Sequence, residues 1–406
     1  MFDDSGRAAW RVYAGTRAAV LLVALFAALT SGPATGGLAA ENARKFDEPA
    51  LTHPIGGLGD VALSPLTRWD AVWYLRIARS GYGDSEVRAA FFPLYPLGVR
   101  ALAEVGGGSD TALLLAAHAV ALAAFLAALI LLHRLVTLEL GRPLASPTLL
   151  LLSVFPGALF FGLPYSESLF LLVSVGAFYA ARTGHWAWAG GCAGLASATR
   201  SAGILLLVPL AVMWWTSRPR RVGQGAWLVL APAGVAAYAA YLGIVEGDAL
   251  RFLEVQEAWS RHFAGPLGGA WDGVTAAVDG ARQLASGQRQ RIYFEQAAGD
   301  PYRVAAINLM LLGALVLAVA GCAGVWRRLP PAYGAYVTAA LVLPLSFPVE
   351  PQPLMSLPRF IAVLFPIFMW LAILCEERGS TVRVAAASAI GLGLFTSQYA
   401  TWHFIS

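Results

Sequence analysis

Long apolar runs separated by short polar joints pattern this chain from end to end. About eleven of them reach or approach the roughly 18 to 20 residues that a helix needs to cross a bilayer. They lie near 17–38, 111–133, 147–163, 167–182, 186–199, 202–216, 226–245, 304–325, 332–347, 360–375 and 384–403. Several are short, so tilted or broken helices are expected. Two long polar connections interrupt the pattern, 41–109 and 246–302, and the other joints are tight. The predicted fold class is all-α: one polytopic membrane domain over 1–406, with amphipathic interfacial helices in its long loops.

Composition sharpens that reading. The chain is 58% hydrophobic and 13% charged, with a mean hydropathy of +0.63, whereas a soluble globular chain carries about a quarter charged residues. The net charge of +4 does not point to nucleic acid, because the basic residues are spread over short loops. Lys45 is the single lysine. Cys192, Cys322 and Cys375 are odd in number and far apart within apolar runs, which gives neither a disulfide framework nor metal-ligand spacing.

Arginine sets the expected orientation. Arg134 and Arg142, Arg182, the cluster Arg218, Arg220 and Arg221, the pair Arg327 and Arg328, and Arg378 with Arg383 occupy alternate joints. With Arg7, Arg11 and Arg17 they put the N-terminus on the same, cytoplasmic side. Both long connections then lie outside. The first run has a rival reading as a signal peptide, with "LAA" before Glu41 as a cleavage site; the long "TSGPATGG" segment favours a retained helix. Residues 268–300, rich in Gly, Ala and Gln, read as a mobile outer loop. Residues 247–263 read as an interfacial amphipathic helix capped by Asp248, with Phe252, Val255, Trp259 and Phe263 on one face.

Five motifs fall on the outer side: "RWDAVWY" (68–74), "FFPLYP" (91–96), "PYSES" (164–168), "ATRSAG" (198–203) and "LPRF" (357–360). The runs themselves hold almost no mid-depth charge, unlike ion pathways or proton relays, which disfavours a transporter. Each motif also has a plain structural reading. Asp70 can cap a helix over 71–80, "FFPLYP" can be an aromatic belt, and Glu167 suits the first turn of its helix. Arg200 and Arg359 stand where the charge pattern does not place arginine, so an anion must compensate them. Ion pairing to Glu167 or Glu350 is one answer, and a bound phosphate is the other. A carboxylate base, phosphate-binding arginines and aromatic platforms suit a substrate with a sugar, a phosphate and a lipid tail. No Asp-x-Asp pair, glycine-rich phosphate loop, Gly-Lys-Ser/Thr or zinc pattern is present.

"RWDAVWYLRIARSGY", "AFFPLYPLGVRAL", "PYSESLFLLVSVGAFYA", "SATRSAG" and "PRFIAVLFPIF" occur in the order seen in the GPI mannosyltransferase II (PIG-V) family, and the chain resembles its bacterial members from about residue 65 onward. Eukaryotic members often carry His where this chain has Arg68. The resemblance implies a GT-C type membrane glycosyltransferase that moves a hexose, usually mannose, from a polyprenyl-phosphate-sugar donor to a glycan, glycolipid or protein acceptor on the extracytoplasmic face of the plasma membrane. By that match Asp70 in the first outer loop is the base, and arginine stabilises the leaving phosphate in place of a metal. Substrate-binding candidates are Arg200, Arg359, Glu167, Trp69, Trp73, Tyr95, Tyr165, Gln256 and His262. Neither a cofactor nor a metal is expected. The rival functions are transfer of another polyprenyl-phosphate sugar such as glucose or arabinose, flipping or export of a lipid-linked glycan, and a non-catalytic lipid-binding subunit.

Overall fold

The computed structural model describes residues 4–31, 37–83, 86–294 and 300–403, and among these the chain is helical without a strand. We number the helices of ten residues or more in chain order. They are α1 (Asp4–Ser31), α2 (Gly37–Phe46), α3 (Asp70–Ser80), α4 (Leu94–Val105), α5 (Asp110–Leu140), α6 (Arg142–Val154), α7 (Glu167–Arg182), α8 (Trp186–Thr199), α9 (Leu207–Thr216), α10 (Ala233–Val245), α11 (Gly268–Ala285), α12 (Pro301–Arg328), α13 (Pro331–Leu345), α14 (Phe365–Glu377) and α15 (Thr381–Ala400). Every apolar run of the sequence has a helical counterpart. By length and composition four segments can cross a membrane unaided: α1, α5, α12 and the stretch Val222–Val245 that ends in α10. A fifth crossing requires α6 and the turn Pro156–Gly162 together, and they meet at a bend of 86°. Segment 32–36, which separates the two readings of the first run, lies outside the described residues.

The bend after α6 is where the fold begins to build its site. Phe155 leaves the helix in extended conformation and Pro156, which has no N–H to donate, follows. Arg17 serves one carbonyl on each side of the bend. Its guanidinium donates to the carbonyls of Ala158 at 2.9 Å and Ser153 at 3.3 Å and lies 5.0 Å from the Phe125 ring centroid. The sequence reading counts Arg17 with the cytoplasmic charges; instead it is buried inside the bundle, where unpaired backbone needs a cation donor. Past the bend, Gly157 admits the backbone of Pro358, for a Cβ there would sit 2.2 Å from the Pro358 carbonyl oxygen. Only glycine permits that approach, which fixes the short helix Leu357–Ala362 against the turn.

Two large hydrophobic cores and a small cluster of Phe294, Val304 and Ala305 hold the described residues together. One is built on α5 to α8 and α12 to α14, with Phe125, Phe178, Tyr333, Phe365 and Phe368 among its large side chains. The other, with Tyr74, Tyr95, Phe160, Tyr165 and Tyr399, packs the first long connection onto the ends of α5, α7 and α15. At the opposite end of the bundle Arg142 pairs with Asp4, Arg182 with Glu139 and Arg328 with Glu377. Arg142, Arg182 and Arg328, from three of the arginine-bearing joints, thus share one end.

Two loop readings need correction. Residues 268–285 are not loop but the 18-residue helix α11, packed along α12. Its Gly269, Gly273, Ala277 and Gly280 are four or three residues apart and make a flat face; a Cβ on Gly280 would reach the Ala305 carbonyl oxygen at 2.9 Å. Small residues at helical spacing mean close helix packing as well as flexibility. Residues 247–263 do not form one amphipathic helix. They break into a turn of helix at Arg251–Glu254, a 3₁₀ turn at Val255–Trp259 and a left-handed Ser260, after which Arg261 pairs with Val349. Asp248 accepts from the Leu250 N–H rather than opening a long helix. Phe252 and Val255 are buried while Phe263 is exposed, so the periodic face does not hold.

Candidate active site

The helix that begins at Asp70 forms as its spacing predicts, with Ala71, Val72, Tyr74, Leu75, Ile77 and Ala78 buried and Gly81 ending it at φ +76°. Asp70 is its first residue and does not cap it. Trp69 occupies the cap position with φ 59° and ψ −125°, a conformation costly for a bulky side chain. The Asp70 carboxylate turns inward instead, and Oδ2 accepts from Nη1 of Arg359 at 2.7 Å. Its Oδ1 makes no hydrogen bond among the described residues, and the side chain remains 28% exposed.

Glu167 is the hub of the cluster. It is the first residue of α7, fully buried, where the helix dipole favours negative charge. Oε1 accepts from Nη1 of Arg200 at 2.7 Å and from Nε of Arg359. Arg200 sits in extended conformation at the end of α8, and Arg359 in the short helix Leu357–Ala362 opened by a left-handed Ser356. Four segments remote in sequence therefore deliver two acids and two arginines to one end of the bundle. Glu350 takes no part. The Arg359 guanidinium also lies 4.8 Å from the Tyr165 ring centroid and 5.2 Å from that of Phe160. Among the described residues Nη2 of Arg200 and Nη2 of Arg359 carry no hydrogen bond.

Tyrosines brace the backbone just before Asp70. The Tyr399 hydroxyl donates to the Arg68 carbonyl at 2.7 Å and accepts the Arg68 N–H at 3.2 Å, while Tyr165 donates to the same carbonyl at 3.1 Å. The neighbouring Thr67 hydroxyl meets His118 Nε2 of α5 at 2.9 Å. Tyr74 joins its hydroxyl to that of Ser166 at 2.8 Å, tying α3 to the start of α7. Burial, reinforced by the charge of Glu167, pushes the Tyr74 phenol up to about 12, so it stays protonated. The Arg68 side chain lies 4.5 Å from the Trp402 ring centroid, and burial lowers its guanidinium to about 10 without removing its charge at neutral pH.

The aromatic candidates are mostly inside. Trp69 is buried between Phe46 and Trp402, Tyr95 is fully buried with its hydroxyl on the Ala117 carbonyl, and Tyr165 is buried in the brace. Trp73 is half-buried, stacked on Phe91 with the Arg76 guanidinium 4.7 Å from its ring centroid. Gln256 is half-buried and bonded to the Phe252 carbonyl, and His262 is exposed; neither enters the carboxylate–arginine cluster. Its sequence neighbour Arg261 does. The Arg261 guanidinium lies 5.9 Å from the Phe360 ring centroid, the Arg200 guanidinium lies 5.7 Å from the same centroid, and Arg359, Asp70 and Arg200 are the charges acting on Arg261. Reading 247–263 by hydrophobic period conceals this residue; its one sequence signal is an arginine in the second long connection. Among the described residues no three His, Cys, Asp or Glu side chains gather as a metal site would need.

In solved structures the chain is similar to the apo oligosaccharyltransferase of Archaeoglobus fulgidus, with a TM-score of 0.46 and 11% identity over 96% of this chain and 56% of that one. ArnT from Cupriavidus metallidurans bound to undecaprenyl phosphate aligns with a TM-score of 0.39 and 15% identity over 82% of this chain and 72% of that one. The chain spans about half the length of the oligosaccharyltransferase chains it aligns with. No curated protein matches its sequence. A family profile does match, that of a family of mannosyltransferases, so glycosyl transfer is the class of activity the chain resembles. Over residues 16–213, the stretch that carries Asp70, Glu167 and Arg200, the family that the chain resembles is Mannosyltransferase (PIG-V).

Proposed function

We propose that this protein is a GT-C type glycosyltransferase that moves a hexose, mannose by the family match, from a polyprenyl-phosphate-sugar to an acceptor hydroxyl on the extracytoplasmic face of the plasma membrane. The observation that carries the proposal is the convergence of Asp70 with Glu167, Arg200 and Arg359 at one end of a membrane bundle. Asp70 Oδ1 takes the acceptor hydroxyl's proton. The freed oxygen attacks the anomeric carbon from the face opposite the phosphate, a carbon–oxygen bond forms, and the anomeric carbon–phosphate oxygen bond breaks with its electron pair on the phosphate. The configuration inverts. A phosphodiester with one negative charge becomes a monoester with a second, which arginines preorganised nearby stabilise where it develops.

Arg200 and Arg359 contribute to that stabilisation through their open Nη2 groups, and Glu167 holds the two guanidiniums in place. Arg359 also orients Asp70, through Oδ2, leaving Oδ1 for the acceptor. Trp73, half-buried on α3, is the aromatic face best placed for a sugar ring. The test is direct. Purified protein supplied with radiolabelled polyprenyl-phosphate-mannose and extracted cell-envelope acceptors should transfer label to a non-donor product. Label that stays on the donor across a panel of acceptor extracts, while protein of confirmed fold is present, contradicts the proposal.

A further inference from the structure

The arginines of the cluster are not equivalent. Arg359 contacts both carboxylates and Arg200 contacts one. Arg261 contacts neither: among the described residues its side chain makes one hydrogen bond, from Nη1 to the Phe347 carbonyl at 3.2 Å, and no carboxylate lies within ion-pair distance. Three guanidiniums thus face two carboxylates, and the surplus positive charge resides on Arg261. Arg200 and Arg261 both stand at the ring of Phe360, so like charges flank one side chain. Arg200 is compensated there by its ion pair with Glu167, whereas Arg261 has no ion pair of its own among the described residues. Burial and the repulsion of Arg359 and Arg200 depress the Arg261 guanidinium to about 10.

The backbone around Arg261 is built to hold it. Ser260, immediately before it, is left-handed at φ 54°, as Trp69 before Asp70 also has positive φ. Arg261 pairs with Val349, Ala264 donates to the Ser346 carbonyl at 3.0 Å, and Phe263 packs on Phe347 with centroids 5.4 Å apart. A residue fixed in this way by its neighbours is a placed residue, and Nε and Nη2, which carry no hydrogen bond among the described residues, are left to meet a ligand.

We infer that Arg261 is the principal ligand of the donor's phosphate and that it sets the preference for a phosphate-bearing lipid over a neutral one. This rests on the transfer reading above, in which the donor carries one negative charge, the charge that a single uncompensated arginine balances. Arg200 and Arg359, already neutralised by Glu167 and Asp70, then act second, on the charge that develops as the bond breaks.

The experiment uses a long-chain polyprenyl phosphate, the corresponding polyprenol and inorganic phosphate as probes of the purified full chain in detergent. Wild-type protein should bind polyprenyl phosphate. Arg261→Gln should weaken that binding roughly 10- to 150-fold, and Arg261→Lys should recover part of it, because an ammonium cannot form the bidentate fork. In parallel, phenylglyoxal modification of wild-type protein, read by peptide mass spectrometry, should be slowed at Arg261 by polyprenyl phosphate and not by polyprenol. This second readout does not depend on a variant that folds. Wild-type affinity in a well-folded Arg261→Gln variant, or equal modification of Arg261 with and without the lipid, overturns the assignment and leaves the transfer reading standing. Protection by inorganic phosphate but not by the lipid makes it a free-anion site and also overturns it. Failure of wild-type protein to bind polyprenyl phosphate removes the transfer reading and this inference together.

Discussion

Arg359 donates from Nη1 to Oδ2 of Asp70 at 2.7 Å across 289 residues of sequence. The pair fixes the aspartate's orientation, and with Glu167 on its other edge Arg359 becomes the link between the first long connection and the bundle. Replacing Arg359 with Lys should therefore disable more than charge. One ammonium cannot span both carboxylates, so turnover should fall about as far in Arg359→Lys as in Arg359→Gln, while donor affinity is partly kept in the lysine variant. Steady-state kinetics beside a donor-binding isotherm separates the two.

Glu167 should be the stability residue of the site. Glu167→Gln leaves Arg200 and Arg359 facing each other without their shared carboxylate, and breaking a buried pair in this way costs about 3 to 5 kcal/mol. Thermal unfolding in detergent should show a large loss, and adding Arg200→Gln to it should restore part. A Glu167→Gln protein that melts like wild type would mean that the hub does not carry this charge.

Tyr399→Phe tests the brace. It removes the hydroxyl that both donates to and accepts from the Arg68 backbone, a loss of roughly 0.5 to 1.5 kcal/mol for each hydrogen bond. Donor affinity should hold while kcat falls several-fold, because the aspartate is less well oriented. An unchanged kcat would show that Tyr165 alone is sufficient to hold the Arg68 carbonyl.

Much of this was legible in the sequence, and what was missed has physical causes. Each hydrophobic run of the sequence falls on a helix, since burial in lipid demands long apolar stretches, whereas the glycine-rich α11 gives no such signal. Out-of-pattern arginines at 200 and 359 marked the cluster because the charge rule for loops predicts none there. Periodicity could not separate a broken segment from a helix at 247–263, where the left-handed Ser260 reverses the chain and brings Arg261 inward. Nor could it separate a platform from a brace: Trp69, Tyr95 and Tyr165 look alike in a motif, and only packing reveals that they are closed off by neighbours. Arg17 counts as a loop charge until the bend at Phe155 exposes the carbonyls it serves.

Sidedness has its own test. The site and the ion pairs Asp4–Arg142, Glu139–Arg182 and Arg328–Glu377 occupy opposite ends. In intact cells a cysteine at Gly287 should react with a membrane-impermeant maleimide and one at Gly223 should not. Labelling at Gly223 instead would turn the site toward the cytoplasm and remove the case for a lipid-linked donor.

The central claim is that Asp70 is the base of a sugar transfer from a lipid phosphate. The measurement is transfer of radiolabelled mannose from polyprenyl-phosphate-mannose by wild-type protein and by Asp70→Asn, with donor binding measured on both. Asparagine keeps the size of the side chain but cannot accept the acceptor's proton, so turnover should fall by about 10² to 10⁴ with donor affinity intact. Equal turnover in the two proteins would contradict the account.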